Sequence, residues 1–179
     1  RVHLGSKRMG QLIDDLLNLS RITRTVLRPE SVDLSALAAA IGDDLAKAEP
    51  GRRVELVVAP GVKAWGDANL LRVALANLLG NAWKYTSKHP RARIEFGAEE
   101  REGRTVYFVR DDGAGFDMEL SKRLFEPFTR LHAAADFEGT GIGLATVSRV
   151  VARHAGRVWA ESAVERGAVF YFTLWERKP

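Results

Sequence analysis

Cysteine is missing from all 179 residues. That removes disulfides, thiolate metal sites and cysteine nucleophiles together, and it fits a reducing compartment. The chain also lacks any run of 18 apolar residues and shows no signal-peptide pattern. Its 27 Lys and Arg outnumber 23 Asp and Glu, but they are scattered. No block of five basic residues and no basic stripe interleaved with aromatics occurs, so nucleic-acid binding lacks its electrostatic footprint. The expectation is a cytoplasmic chain without nucleic-acid or membrane contact. A mild surplus of positive charge is compatible with anionic ligands. Internal repeats and low-complexity tracts are absent too. The chain opens Arg1-Val2-His3 and is read as a fragment of a longer protein.

What is present suits one compact domain with an appendage: 46% of residues are hydrophobic and 28% charged. Leu12, Ile13, Leu16, Leu17, Leu19 and Ile22 recur at helical spacing between residues 4 and 25. This Leu/Ile seam suits a bundle or coiled coil, or a helix packed on its own domain. Pro29 breaks the pattern. Residues 30–65 read strand, helix, strand, strand, with Asp33 or Ser35 as the helix cap. A long helix over 67–88 is capped by Asp67. Residues 92–98 and 104–110 alternate as a hairpin around Glu102-Gly103. A glycine-broken loop at 111–117, a short helix at 119–126, a loosely patterned segment at 129–140, a helix from 140 to about 155, and strands at 157–162 and 167–175 complete the chain. This order predicts an α+β, two-layer sandwich with a mixed, mostly antiparallel sheet packed on three helices and preceded by an N-terminal helix.

Three stretches carry chemistry. In the 67–88 helix, Asn77 and Asn81 lie four apart on one face, with Lys84 and Tyr85 beside them. Two amides, an ammonium and a phenol suit a polyphosphate and a hydrated Mg²⁺, which prefers oxygen ligands; two buried Asn satisfied by neighbouring backbone is the plainer alternative. "DDGAGF" at 111–116 follows a strand. Asp111 there could accept a hydrogen bond from an exocyclic amine, favouring adenine over guanine, or it could belong to a plain Asp-Gly turn. "LFEPFTR" at 124–130 places Phe125 and Phe128 as anchors of a segment, 131–138, that reads as a mobile lid or a surface loop. Arg130 is placed to meet a phosphate. "GTGIGL" at 139–144 puts three glycines ahead of a helix, a pattern that holds anions.

The order and spacing of "NLLGNAWKYT", "DDGAGF", "LFEPFTRLH" and "GTGIGLATV" closely resemble the N, G1, F and G2 boxes of bacterial sensor histidine kinases, over residues 31–179. "RMGQLIDDLLNLSRIT" resembles the end of the second dimerisation helix of these kinases. "EPFTRLH" followed by "GTGIGLATV" is most similar to the phytochrome-linked members. The resemblance implies a Bergerat-type ATP-binding fold, with residues 1–28 as the C-terminal part of a dimerisation and phosphotransfer helix and residues 29–179 as the catalytic domain. It implies that Asn81 ligates Mg²⁺ and Asn77 supports phosphate or metal-bound water. Lys84 would meet phosphate and Tyr85 would line the nucleotide. Asp111 would accept from the adenine amine, with Gly113 and Gly115 beside the ring. Arg130 would approach the γ-phosphate. Gly139, Thr140, Gly141, Gly143 and Leu144 would wrap the phosphates. ATP and Mg²⁺ are then the implied cofactors, a response-regulator receiver domain the implied partner, and the N-terminal helix the implied homodimer contact.

One family feature is missing. Of the four histidines, His3, His89, His132 and His154, none has the acidic neighbour of an H-box, so no phosphoacceptor is assigned. The expected H-box lies before residue 1, on a helix outside this chain. His132 and His154 read as surface or packing residues. A transfer-deficient ATP- or regulator-binding scaffold is the alternative function. An ATP-gated clamp of the same superfamily is disfavoured, because no acid follows Asp67 in the N-box helix to activate water. A Walker or Ser/Thr-kinase reading fails, because neither GxxxxGK[ST] nor HRD or DFG elements occur.

Overall fold

A computed structural model describes residues 2–131, 137 and 139–175. The chain runs α1 (Val2–Arg24), β1 (Pro29–Asp33), α2 (Leu34–Ala48), β2 (Val54–Val58), β3 (Lys63–Asp67), α3 (Ala68–Tyr85), β4 (Ala92–Arg101), β5 (Arg104–Asp111), a 3₁₀ helix (Met118–Arg123), α4 (Gly143–Arg153), β6 (Val158–Ser162) and β7 (Ala168–Phe172). Five strands form one sheet in the order β2-β4-β5-β7-β6. β1 and β3 form a separate antiparallel ribbon. Only the β2–β4 pair of the large sheet is parallel; the other three pairs are antiparallel. The expected mixed, mostly antiparallel sheet under three helices is what forms.

The strands alternate because their two faces meet different surroundings. Ile94, Phe96, Tyr107, Val109, Phe170 and Phe172 point to the helices and share one core with Leu71, Leu75, Leu78 and Leu79 of α3 and Val147 and Val151 of α4. Burying each such large apolar side chain stabilises the fold by about 1.5–3 kcal/mol. The opposite face carries Val106, Phe108, Tyr171 and Trp159. No helix covers them among the described residues. Instead the Arg101 guanidinium lies over Tyr171, 4.3 Å from its centroid, and Arg110 lies over Phe108 at 5.2 Å. Long arginine stems thus shield aromatics while keeping their charge in water.

The helix starts decide where the site sits. Asp33 caps α2 by accepting from the Ala36 N–H at 2.9 Å. The alternative cap, Ser35, instead ties the β2–β3 connection to α2: it donates to the Ala59 carbonyl at 2.6 Å and accepts from the Val62 N–H at 2.9 Å. Asp67 caps α3 as expected, accepting from the Asn69 and Leu70 N–H groups at 3.1 Å. Such caps contribute about 1 kcal/mol each. The Asp67 N–H donates to His154 Nε2 at 3.0 Å, and His154 Nδ1 lies 2.8 Å from the Val150 carbonyl. An accepting Nε2 requires the proton on Nδ1, so His154 is a neutral packing histidine that ties the end of α4 to the start of α3. Burial, the largest influence, pushes its pKa down, as a neutral ring requires.

Two boundaries differ from the sequence expectation. The segment at 119–126 forms a 3₁₀ helix that ends at Arg123, before Pro127. The helix expected from 140 begins at Gly143. Gly139 and Gly141 stand at φ 153° and 78°, outside the right-handed helical region, so the chain cannot enter α4 earlier.

Candidate functional site

A cavity of about 320 Å³ opens between α3, the start of α4 and α1. Ten of the thirteen expected site residues line it: Asn77, Asn81, Lys84, Tyr85, Arg130, Gly139, Thr140, Gly141, Gly143 and Leu144. The helical row predicted on α3 forms one wall, and the glycine turn forms the facing wall.

The two walls approach closely at Asn77 and Gly143. The Asn77 amide nitrogen donates to the Val73 carbonyl at 2.8 Å, which fixes its oxygen toward α4. A Cβ at Gly143 would come 2.6 Å from that oxygen. A side chain at 143 would therefore force the Asn77 amide to shift, and the plainer sequence alternative for Asn77, an amide satisfied by backbone, holds alongside its place in the cavity wall. α2 and α3 are each capped by an aspartate; α4 has no side-chain cap. Its first N–H groups and the positive end of its dipole face the cavity, a ready anion site.

The cavity is electropositive. Burial, and then the nearby Arg130 guanidinium, push the Lys84 ammonium below its ordinary pKa. A polyanion placed beside the two cations would favour the charged form of Lys84 again. The Lys84 ammonium also sits over the Tyr85 ring, 4.3 Å from its centroid. Burial raises the Tyr85 hydroxyl's pKa, with Arg130 opposing and Asp111 reinforcing that shift. Arg130 donates to the Phe137 carbonyl, so its guanidinium holds the backbone at that position.

Asp111, Gly113 and Gly115 do not line this cavity. They lie across the C-terminal end of α3. The Ala114 N–H donates to the Tyr85 carbonyl at 3.1 Å, and a Cβ at Gly113 would meet that same carbonyl oxygen at 2.6 Å. Asp111 is 5% exposed at the end of β5. Its carboxyl pKa is pushed up to about 6, chiefly by burial, with the N–H groups of Gly113 and Ala168 pulling it back. Gly113 N–H donates to it at 2.9 Å.

Several wall residues escape the sequence reading. Phe137 packs edge-on against Tyr85, centroids 5.0 Å apart, and is buried. Its neighbours 132–136 and 138 lie outside the described residues, as does the expected position of His132. Asp15 and Asn18 reach the cavity from α1; their i,i+3 spacing on a helix assigned to another role gave no signal. Ile142, between two box glycines, seals the floor and is 1% exposed.

The matching family model, that of histidine kinase-, DNA gyrase B- and HSP90-like ATPases, spans residues 66–178. Cyanobacterial phytochrome A of Nostoc sp. is 36% identical over 172 residues, 95% of this chain and 22% of that protein. The phosphate regulon sensor protein PhoR of Pseudomonas aeruginosa is 37% identical over 171 residues, 91% of this chain and 38% of that one. The full-length ShkA structure in complex with AMPPNP matches with TM-score 0.74 and 28% identity, over 92% of this chain and 35% of that chain. The chain spans about a fifth of the length of the first curated relatives it matches. By sequence, fold and relatives, the chain belongs to the histidine kinase-, DNA gyrase B- and HSP90-like ATPase family, as an ATP-binding catalytic domain of the sensor-histidine-kinase kind.

Proposed function

We propose that this chain positions ATP for transfer of its γ-phosphate to a histidine on a helix outside the chain, and from there to the aspartate of a response-regulator receiver domain. Residues 29–179 are the catalytic domain in this reading, and residues 1–28 are the end of a dimerisation helix. The observation that supports it most is the uncapped start of α4, which faces Lys84 and Arg130 across one cavity. Phosphoryl transfer asks for placement and charge neutralisation rather than covalent chemistry from the protein. The α4 N–H groups and Thr140 would hold the phosphates, and the two cations would offset their charge. Asp111 would read the adenine amine.

The donor set fits Mg²⁺. Among the described residues, no cluster of three His, Asp or Glu side chains could hold a metal alone. Asn81 offers an amide oxygen in the cavity wall, and Mg²⁺ completes its shell from phosphates and water. Bound there, it would neutralise phosphate charge; Asn81 would hold it and Asn77 would orient its water.

Calorimetry with ATP, with and without Mg²⁺, tests the assignment. Wild type is expected to bind in the micromolar range. Asn81→Ala loses the Mg²⁺ dependence, and Asp111→Ala loses binding. Full affinity in both variants would overturn these roles.

A further inference from the structure

α1 does more than precede the ATP-binding domain: it is fastened along α4 at both ends. At the C-terminal end of α4, the Arg153 guanidinium donates to the carbonyls of Ile22, Thr23 and Thr25. These are the carbonyls that the end of a helix leaves without internal partners. Ile22 is 5% exposed and packs with Leu70, Ala74 and Val150. At the N-terminal end of α4, two turns back along α1, the Thr140 hydroxyl donates to Asp15 Oδ2 at 2.7 Å. Leu12, Asp15, Leu19 and Ile22 form the inward stripe of α1. A carboxylate in a stripe of Leu and Ile needs a reason, and its Oδ2 accepts from a residue of the phosphate cradle.

A carboxylate oxygen and a phosphate oxygen are the same kind of hydrogen-bond acceptor, and both are anionic. Thr140 has one hydroxyl proton to give. While Asp15 takes it, a triphosphate at the start of α4 loses that donor and faces a fixed negative charge. We propose that Asp15 is an internal competitor for the phosphate end of the nucleotide, so that seating ATP and docking α1 on the start of α4 oppose each other. The proposal rests on the ATP-binding reading given above. By linkage, whatever moves α1 away raises ATP affinity, and bound ATP loosens α1 to the same extent. The adenine end is untouched, so the competition grows with the number of phosphates.

Because the natural chain has no cysteine, the full chain carrying Asp15→Cys and Thr140→Cys is a clean probe of the contact. It is expected to form an intramolecular disulfide on mild oxidation without nucleotide. Failure to form one overturns the proposal. Titrations of ATP and AMP into wild type and Asp15→Ala then test the competition. Asp15→Ala is expected to bind ATP about tenfold tighter, the scale of one hydrogen bond to a charged group, with AMP affinity unchanged. An ATP-to-AMP affinity ratio equal to wild type, or a lower one, overturns the proposal while leaving ATP binding in place. Absence of any nucleotide binding in either protein overturns the ATP-binding reading as well.

Discussion

The two ends of the expected nucleotide site are built differently. The adenine end is carried by β5 and the C-terminus of α3. Asp111 is buried there and held by backbone N–H groups. The phosphate end is carried by a glycine turn, lid residues and a helix from outside the sheet. Its polar groups are engaged with protein: Thr140 with Asp15 and Arg130 with Phe137. A carboxylate kept in a buried place by the main fold would make a fixed reader of a base. Donors on a turn that hold protein acceptors make an exchangeable cradle. In the proposed reading the first end would supply selectivity and the second control.

The largest expected effect lies at the fixed end. Burial raises the Asp111 pKa to about 6, above the ordinary value near 3.9. Folding therefore favours its protonated form. Its stabilisation is full below about pH 4 and is lost as pH rises through about 6. Above that, the ionised carboxylate costs the ligand-free chain roughly 3 kcal/mol. Asp111→Asn should be more stable relative to wild type at pH 8 than at pH 4.5, with the gap closing through pH 6. Urea unfolding across that range checks it; a gap that does not change with pH would place Asp111 in a solvated setting.

Next comes the seam between the ends. Gly143→Ala forces a methyl group to within 2.6 Å of the Asn77 oxygen. The strain of such overpacking, about 1–3 kcal/mol, should weaken ATP binding by roughly 10- to 100-fold. Adding Asn77→Ala should relieve the clash, so the double variant binds better than Gly143→Ala alone. Additive losses would mean the two residues act separately.

A smaller effect is expected where α1 is fastened. Arg153→Ala removes the donors that hold the carbonyls of Ile22, Thr23 and Thr25. Amide exchange over 19–25 should speed up by a factor corresponding to about 1 kcal/mol, while the core of α3 keeps its protection. Equal acceleration in α3 would show that Arg153 supports the whole domain instead.

The smallest effect concerns the outer face of α1. Ile13, Leu16 and Leu17 are 42–53% exposed, an apolar strip suited to a second helix. Leu17→Glu should reduce self-association at high concentration by light scattering; no self-association in wild type would remove this reason for the strip.

Much of this was legible because it rests on local chemistry. Asp67 before an apolar helix is a cap wherever the helix docks. Asn77, Asn81 and Lys84 share a wall because helical spacing puts them there. Glu102-Gly103 turns the hairpin because both residues take positive φ, 53° and 74°. Tertiary contacts were not legible. Nothing in "DDLLNLS" says that Asp15 meets Thr140, 125 residues away. Phe137 sits in a stretch with no period, so its contact with Tyr85 had no sequence signal. His154 reads as a surface or packing residue and is buried, but its tie to the Asp67 N–H depends on how α3 and α4 cross. The resemblance puts Asp111 beside the adenine, yet the cavity wall includes Tyr85 and Phe137 and not Asp111.

The most direct test is paired calorimetry of ATP and GTP with the wild-type chain at pH 7.5, where Asp111 is ionised. ATP binding with no detectable GTP binding is the predicted result, because a buried carboxylate accepts from the amine of adenine and repels the carbonyl of guanine. Equal affinity for the two, or binding of neither, would contradict the assignment of Asp111 as the reader of the base.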